Sequence, residues 1–331
     1  IKIILLLVLT FPLSLVELLA KDKIKIGLLV PLTGKNSEIG ESIVKSTRLA
    51  INQINNLSIE IIPRDTASNA QITLEAAKEL SGLGVKIVIG PVFNKNLIYL
   101  DELSTLTFLS LTNKSSNNSR NIINAGINAT SQLNAIKKFI DLKKIEKTIF
   151  LTPDLNYKNE IEQAISFSKI KLIKNYSYNT DPTKLTEKIE VITNYKERKQ
   201  NLEDEIKRLE DSDENGKEQL IETLKKKDTL GDVKFDSIII ADFDQSLKSV
   251  TTSLLYTDIS PKKKYFITLN QWFDESLLKE TSSQQLYFPS INKKNYDDFS
   301  SEYFEKYNQY PNQLSFLSFD LVGLVYYLIL Q

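Results

Sequence analysis

The 331-residue sequence contains no histidine, no cysteine and no methionine, and these absences remove whole classes of chemistry. Without histidine and cysteine, Ser-His-Asp triads, thiolate nucleophiles, iron–sulfur clusters and the usual zinc sites are excluded. Catalysis would have to use paired carboxylates, lysine, tyrosine or an oxygen-ligated metal. We therefore expect a protein that is not an enzyme and that uses no cofactor.

The chain also has no excess of charge of either sign, with 42 basic and 42 acidic residues. A neutral chain has no overall basic character to attract phosphate backbones, so nucleic acid is not an expected partner. The hydrophobic share of 41% is that of an ordinary globular protein. The length predicts about two lobes of ordinary domain size.

Residues 1–20 are mostly apolar. The basic residue Lys2 precedes the apolar run, which is interrupted by Pro12 and Glu17. The pattern predicts a signal peptide for export, since the run is too short and too interrupted for a transmembrane helix. An uncleaved inner-membrane anchor and a buried helix or strand are the alternatives, and membrane contact is expected only through this segment. The missing initial methionine and the uncapped apolar stretch over 318–331 predict a fragment at both ends.

From residue 23 onward, short apolar runs alternate with segments of helical periodicity. The runs predict strands over 24–30, 59–62, 85–89, 107–111, 147–151, 171–176, 235–241 and 264–269. Such alternation predicts an α/β fold of two Rossmann-like lobes, with parallel sheets covered by helices on both faces. Lobe 1 is predicted over 23–128, completed by about 270–331, and lobe 2 over 129–269.

Residues 186–230 do not follow this alternation, because charged residues dominate them and apolar positions are sparse. The spacing of Leu202, Ile206 and Leu209 matches a narrow helical seam, and residues 211–216 have the composition of a turn. The segment predicts a charged helical hairpin inserted into lobe 2. It could contact an envelope protein or be a solvated decoration.

In parallel α/β sheets, ligands bind beyond the carboxyl ends of the strands, so the loops there supply the candidate cleft. Hydroxyl and amide groups in lobe 1 suit a ligand carboxylate, and aspartates in lobe 2 could receive an ammonium group. The same residue types also cap helices and form turns, and the aspartates could instead be acid/base pairs or metal ligands. Trp272 is either a wall of the cleft or a core residue. The candidate cleft residues are Thr33, Asn36, Phe93, Asn94, Thr112, Asn113, Lys114, Asp154, Tyr157, Asp242, Asp244 and Trp272.

Four stretches, in this order, resemble the type I periplasmic binding proteins of the Leu/Ile/Val-binding class. They read IKIGLLVPLTGKNSEIGESIVKSTRLAINQIN, PRDTASNAQITLEAAKEL, GVKIVIGPVFN and FLSLTNKSS. Within that class, the hairpin ending KKDTLGDVKFDSIIIADFDQ and the stretch ITLNQWFDESLLKE resemble the penicillin-binding-protein activator branch of Gram-negative bacteria.

The resemblance implies a non-enzymatic, bilobed periplasmic protein that regulates peptidoglycan synthesis through contacts with a synthase or another envelope protein. The alternative that it implies is a receptor for an amino acid or a similar solute in ABC transport. In such receptors, the positions matching Asn94, Thr112 and Lys114 hold the ligand's carboxylate and amino groups. Lys114 stands where the receptors have a small residue.

Overall fold

The computed structural model describes residues 23–54, 59–114, 119–269 and 285–329, and the predicted signal segment lies outside them. These residues form two compact units. The first contains the described residues up to Ser110, residues 119–123 and those from Ser318 onward; the second contains 111–114, 124–269 and 285–317. The boundaries between the two units therefore differ from the predicted lobe boundaries, because residues 285–317 belong to the second unit.

The first unit is built on a five-stranded sheet in the order β2-β1-β3-β4-β5. β1 pairs in parallel with both β2 and β3, and β3 pairs in parallel with β4. The apolar run of β1 is buried from Ile26 onward because helices cover the sheet. The strands are β1 Ile24–Val30, β2 Ile59–Asp65, β3 Ile87–Ile89, β4 Thr107–Ser110 and β5 Ile122–Asn124.

Two helices follow the first two strands of this unit: α1 Ser37–Ile54 and α2 Ala70–Gly82. The side chain of Asn69 caps α2 by accepting from the amides of Gln71 and Ile72, which satisfies two backbone donors that the first turn leaves free. Short 3₁₀ turns at Asn94–Leu97 and Leu100–Glu102 connect β3 to β4.

The second unit contains a second five-stranded sheet, in the order β10-β9-β8-β6-β7. Every neighbouring pair in it is parallel, so all its strands begin at one edge and end at the other. At the amino-terminal edge, Thr148 lies opposite Ser237, which lies opposite Tyr265. The strands are β6 Thr148–Pro153, β7 Lys174–Tyr178, β8 Ser237–Ile240, β9 Tyr265–Thr268 and β10 Leu286–Tyr287.

Helices pack on both faces of this sheet, as predicted, and the alternation of side chains along the strands shows it. Ile149 and Leu151 of β6 belong to one buried cluster, whereas Phe150 belongs to the cluster on the opposite face. None of the described helices is long and apolar enough to cross a membrane. The helices of this part are α3 Ala129–Lys143, α4 Lys158–Ser168, α5 Pro182–Ile192, α6 Tyr195–Glu210, α7 Lys217–Lys225, α8 Asp244–Tyr256, α9 Lys293–Tyr307 and α10 Gln313–Ile329, which continues into the first unit.

The predicted hairpin is confirmed as α6 and α7, whereas α5 is a helix of the sheet layer. Leu202 and Leu209 of α6 and Leu224 of α7 form a small buried cluster of their own, so the returning helix closes the narrow apolar seam. Arg198 at the base is 5% exposed and donates to the Thr193 carbonyl, the Thr229 hydroxyl and the Thr257 carbonyl. Those three bonds hold the base of the hairpin to the body of the unit.

Candidate functional site

In the first unit, Thr33 and Asn36 lie on the loop after β1 and are hydrogen-bonded to the loop after β2. The Thr33 hydroxyl donates to the Asp65 carboxylate at 2.5 Å, and the Asn36 amide donates to the Ser68 hydroxyl at 3.0 Å. Partial burial raises the pKa of Asp65, but hydrogen bonds from the Thr33 hydroxyl and the amides of Ala67 and Leu32 outweigh it and hold the pKa below its ordinary value. The polar groups of these two candidates therefore join the two loops.

Phe93 and Asn94 lie at the start of the 3₁₀ turn after β3, where Asn94 is exposed and Phe93 is half-buried. The buried polar residue of this turn is Asn96, which the sequence analysis did not select. Its side-chain amide donates to the Thr73 hydroxyl at 3.0 Å, while its Oδ1 has no hydrogen-bond partner among the residues that the structure describes. Nothing in the local sequence distinguishes Asn96 from Asn94, so only packing reveals it.

The second unit contains a cavity of about 440 Å³ at the carboxyl-terminal edge of its sheet. Its walls come from the chain after β4, the first turn of α3, the loop after β6, the start of α4 and the residues that follow β8 and β9. Both polar and aromatic side chains face it. The lining residues are Asn113, Lys114, Ile127, Ala129, Gln132, Asn156, Tyr157, Glu160, Ile161, Phe243 and Leu269.

Hydrogen bonds between neighbouring side chains and the backbone fix the part of the cavity wall that carries Asn113 and Lys114. The Lys114 amide donates to the buried Thr112 hydroxyl at 3.2 Å, and the Asn124 side chain donates to the Lys114 carbonyl at 2.8 Å. Close behind this wall lies Gly126, where a Cβ atom would stand only 1.9 Å from the Thr112 carbonyl oxygen. Only glycine allows the two chain segments to approach so closely.

An aromatic pair lines another part of the cavity, and a buried carboxylate lies beside that pair. Tyr157 and Phe243 meet edge to face with ring centroids 6.2 Å apart, and the Tyr157 hydroxyl donates to the Ala241 carbonyl at 3.4 Å. Asp242 is 2% exposed and accepts from the Tyr178 hydroxyl at 2.6 Å and from the Phe243 amide at 2.9 Å. The pKa values of Tyr157 and Tyr178 are both raised above the ordinary value for tyrosine. Burial is the larger cause, and the negative charge of Asp242 adds to it.

Of the twelve predicted cleft residues, the structure brings Asn113, Lys114 and Tyr157 together in this cavity. Thr112 and Asp242 are buried beside it and are not among its lining residues. Asp154 is exposed and forms an ion pair of 2.6 Å with Lys158, the first residue of α4. Trp272 and the side chain of Asp244 lie outside the described residues.

Four polar or aromatic lining residues were missed: Gln132, Asn156, Glu160 and Phe243. Asn156 and Phe243 follow predicted strands, so the rule of strand-end loops could have selected them. Gln132 and Glu160 lie in the first turns of helices, where exposed polar residues are common and give no separate signal.

Among the residues that the structure describes, the cavity is lined by one cation, Lys114, and one carboxylate, Glu160, together with amide groups and two aromatic rings. This set suits a small molecule that carries both a negative and a positive group. Across the part of the chain that the structure describes, no group of three or more acidic residues is placed to hold a metal ion.

Comparison with known proteins supports the predicted family resemblance. Residues 23–169 match the family model described as a periplasmic binding protein. No curated protein sequence matches the chain significantly. Solved structures match over most of the chain at low identity, which relates them to this protein by fold alone.

Three such structures cover both branches of the resemblance. A branched-chain amino acid ABC transporter periplasmic ligand-binding protein from Burkholderia xenovorans LB400 is 10% identical, with a TM-score of 0.58 over 91% of this chain and 76% of its own. An ABC transporter substrate-binding protein from Desulfitobacterium hafniense, in complex with Leu, is 16% identical, with a TM-score of 0.53 over 92% and 82%. The C-domain of LpoA from Haemophilus influenzae, a regulator of PBP1A, is 14% identical, with a TM-score of 0.57 over 84% and 78%.

The predicted fold class is thereby confirmed, because two parallel sheets flanked by helices and a helical hairpin are all present. The low identities leave the choice between amino-acid receptors and the activator open. The chain has the fold of the type I periplasmic binding proteins, and its residues 23–169 match the periplasmic binding protein family.

Proposed function

We propose that the protein is a non-enzymatic, exported binding protein that takes a small zwitterionic solute, such as an amino acid, into the cavity of its second unit. The cavity carries this proposal. A volume of about 440 Å³ lies within the usual range of small-molecule sites, and polar groups from several strand ends converge on it.

Each group of the cavity has a task in this proposal. Lys114 binds the ligand carboxylate, while Glu160 receives its ammonium group. The edge-to-face pair of Tyr157 and Phe243 packs against the apolar part of the ligand. Lys114 replaces the small residue of the amino-acid receptors, so we expect it to contact the ligand carboxylate directly.

A thermal-shift screen against amino acids, short peptides and muropeptides tests this proposal. A ligand that binds only the folded protein raises the melting temperature, by an amount that grows with its concentration. We expect Glu160→Gln to abolish the shift for the active solute, because the ammonium group loses its carboxylate partner. Glu162→Gln is the matched control, since Glu162 is exposed on the same helix and does not line the cavity.

A flat melting temperature across the whole screen would contradict the receptor proposal. So would a shift that Glu160→Gln and Lys114→Met leave unchanged, because the solute would then bind elsewhere.

The hairpin favours a second function, in which the protein regulates a peptidoglycan synthase by contact. Its two helices are charged outside, and their base is held by three hydrogen bonds from Arg198. A projecting element fixed in this way suits a contact with another envelope protein, and the LpoA C-domain shares the fold. If a variant in which a short linker replaces residues 195–225 still captures every envelope partner in a pull-down, the hairpin has no such role.

A further inference from the structure

We propose that the amino-terminal edge of the second sheet docks on an anionic lipid surface. The inference is independent of the proposed solute site, which lies at the opposite edge of the same sheet. It departs from the expectation, drawn from the sequence, that only the first 20 residues contact a membrane.

At this edge, lysines lie in the turns that precede four adjacent strands. Because β9, β8, β6 and β7 are parallel neighbours, the turns that precede them lie side by side. These turns, 143–147, 169–174, 231–236 and 257–264, are called the lysine edge below. Its lysines are Lys143, Lys144, Lys147, Lys169, Lys171, Lys174, Lys234, Lys262, Lys263 and Lys264, and all but Lys264 are exposed.

Few acidic residues offset this charge, although the whole chain is neutral. Asp232 is paired with Lys264 at 3.0 Å, and Asp236 accepts from the Lys147 amide at 3.0 Å. Asp258 accepts from the Thr229 hydroxyl at 2.7 Å, and Glu146 is exposed. The turn over 169–174 contains no acidic residue at all. With ten lysines against four acidic residues, the lysine edge is therefore strongly positive, and the rest of the neutral chain carries the compensating negative charge.

Apolar side chains project from the same end. Leu142 and Phe167, in the last turns of α3 and α4, are 78% and 70% exposed, and Ile173, just before β7, is 52% exposed. Helices α3 and α4 both run back from the carboxyl-terminal edge, so their last turns lie at the lysine edge. The Lys137 ammonium group joins them there by donating to the Ser168 carbonyl at 3.3 Å.

This arrangement favours a lipid surface over a folded partner. No lysine of the edge lines the cavity at the opposite edge of the sheet, and the four adjacent turns set these charges side by side in a row. All its cations are lysines, which act as point charges and lack the fork of arginine that recognises one carboxylate or phosphate. Lysines around projecting apolar side chains are the features by which proteins bind the interface of an anionic bilayer.

Favourable interaction with helix dipoles explains only some of the lysines of the lysine edge. Lysines near a helix carboxyl terminus offset its dipole, which accounts for Lys143 and Lys169. Lys234, Lys262 and Lys263 stand outside the last turn of any described helix, so the dipole gives no reason for them.

Co-sedimentation of the full chain with vesicles tests the proposal. We expect binding to phosphatidylethanolamine vesicles with about 30% phosphatidylglycerol and weaker binding to pure phosphatidylcholine, because anionic headgroups attract lysines. Raising the salt from about 50 mM to about 300 mM should weaken binding at least about tenfold through screening. The apolar first 20 residues could bind any vesicle, but they are common to every variant and insensitive to headgroup charge.

The variant Lys147→Glu/Lys171→Glu/Lys263→Glu should lose at least about tenfold of the binding to anionic vesicles, since one charge is reversed in each of three turns. The matched control Lys78→Glu/Lys86→Glu/Lys95→Glu changes three exposed lysines of the first unit and should stay within about twofold. Phe167→Ser should weaken binding without changing its salt dependence. If the triple glutamate variant does not fold, the variant Lys147→Gln/Lys171→Gln/Lys263→Gln takes its place in the experiment.

Equal vesicle binding by the triple variant and its control would overturn the proposal. Retention on heparin or on a duplex oligonucleotide without vesicle binding would also overturn it, because the lysine edge would then recognise a soluble polyanion. A melting temperature of the triple variant equal to that of the unchanged protein shows that the loss comes from the surface and not from unfolding.

Discussion

The buried carboxylate of Asp242 shows what single residues contribute beside the cavity. A buried charge is costly unless hydrogen bonds compensate it, and here the Tyr178 hydroxyl and the Phe243 amide do so. Phe243 lines the cavity, so the same carboxylate positions part of its aromatic wall.

Tyr178→Phe removes the hydroxyl that donates to Asp242 and leaves the ring in place. We expect the free energy of unfolding to fall by about 1–3 kcal/mol, because a buried acceptor loses its partner. Urea unfolding at neutral pH measures the change. Tyr176→Phe is the matched control, since Tyr176 lies on the same strand and is only half-buried; an equal loss in both variants would mean that the bond to Asp242 is unimportant.

The raised pKa of Tyr178 also predicts a pH dependence of stability. In the unfolded chain tyrosine ionises near pH 10, whereas burial and the charge of Asp242 keep Tyr178 protonated in the folded protein. The stability that this group contributes is complete below about pH 10 and declines as the pH rises above it. Urea unfolding at pH 8 and about pH 11 should therefore show a smaller decline in Tyr178→Phe than in Tyr176→Phe. Equal declines would contradict this assignment.

Site residues could be predicted from the sequence only where position along a strand decides their place. Lys114 and Tyr157 follow strands and line the cavity, as the strand-end rule predicts. Asp242 also follows a strand, but it points inward to Tyr178, and no local pattern shows which way such a residue turns. Glu160 lies on a helix that merely begins at the cavity.

At the scale of elements, periodicity located the strands and helices well. The strand predicted over 24–30 is observed as Ile24–Val30, and the strand predicted over 147–151 as Thr148–Pro153. The strand predicted over 171–176 begins later, at Lys174, because residues 169–173 connect α4 to the sheet and Ile170 packs into the buried cluster between them. The hairpin predicted over 186–230 includes most of helix α5, which is in fact a separate helix. Asn194, in the left-handed region with φ of 50°, separates α5 from α6.

Arg198→Lys should loosen the hairpin without unfolding the unit. A lysine cannot make the three separate bonds of the guanidinium group, so buried carbonyl groups lose their donors. We expect faster hydrogen exchange in α6 and α7 and faster proteolysis at residues 211–216, with little change in β6 and β8. Arg208→Lys is the control, since Arg208 is exposed and forms ion pairs with Glu205 and Glu214 at the surface; equal loosening in both variants would remove the special role of Arg198.

At the scale of the molecule, the boundary of the second unit could not be read from the sequence. Residues after 269 were predicted to complete lobe 1, but Leu286 pairs with Phe266 and extends the second sheet. A strand of only two residues has no periodicity to detect. The chain returns to the first unit only within α10, at Ser318.

The uneven charge of the molecule has a chromatographic consequence. With a formal net charge of zero, the protein should pass through a cation-exchange column at pH 7 if its charges were evenly mixed. Because the lysine edge concentrates positive charge, we expect retention and elution at moderate salt. The triple glutamate variant of that edge should elute clearly earlier than the first-unit control. Identical elution volumes would show that the edge has no separate electrostatic influence.

The close approach at Gly126 makes the cavity depend on a residue that supplies none of its lining atoms. Even a methyl group there would push the backbone that carries Ile127 away from the backbone that carries Asn113. Under the proposed function, the side chains of the wall can change with the ligand, whereas the backbone contact at Gly126 has no room for a larger residue. A homologue with any other amino acid at that position would have to build a differently shaped binding site.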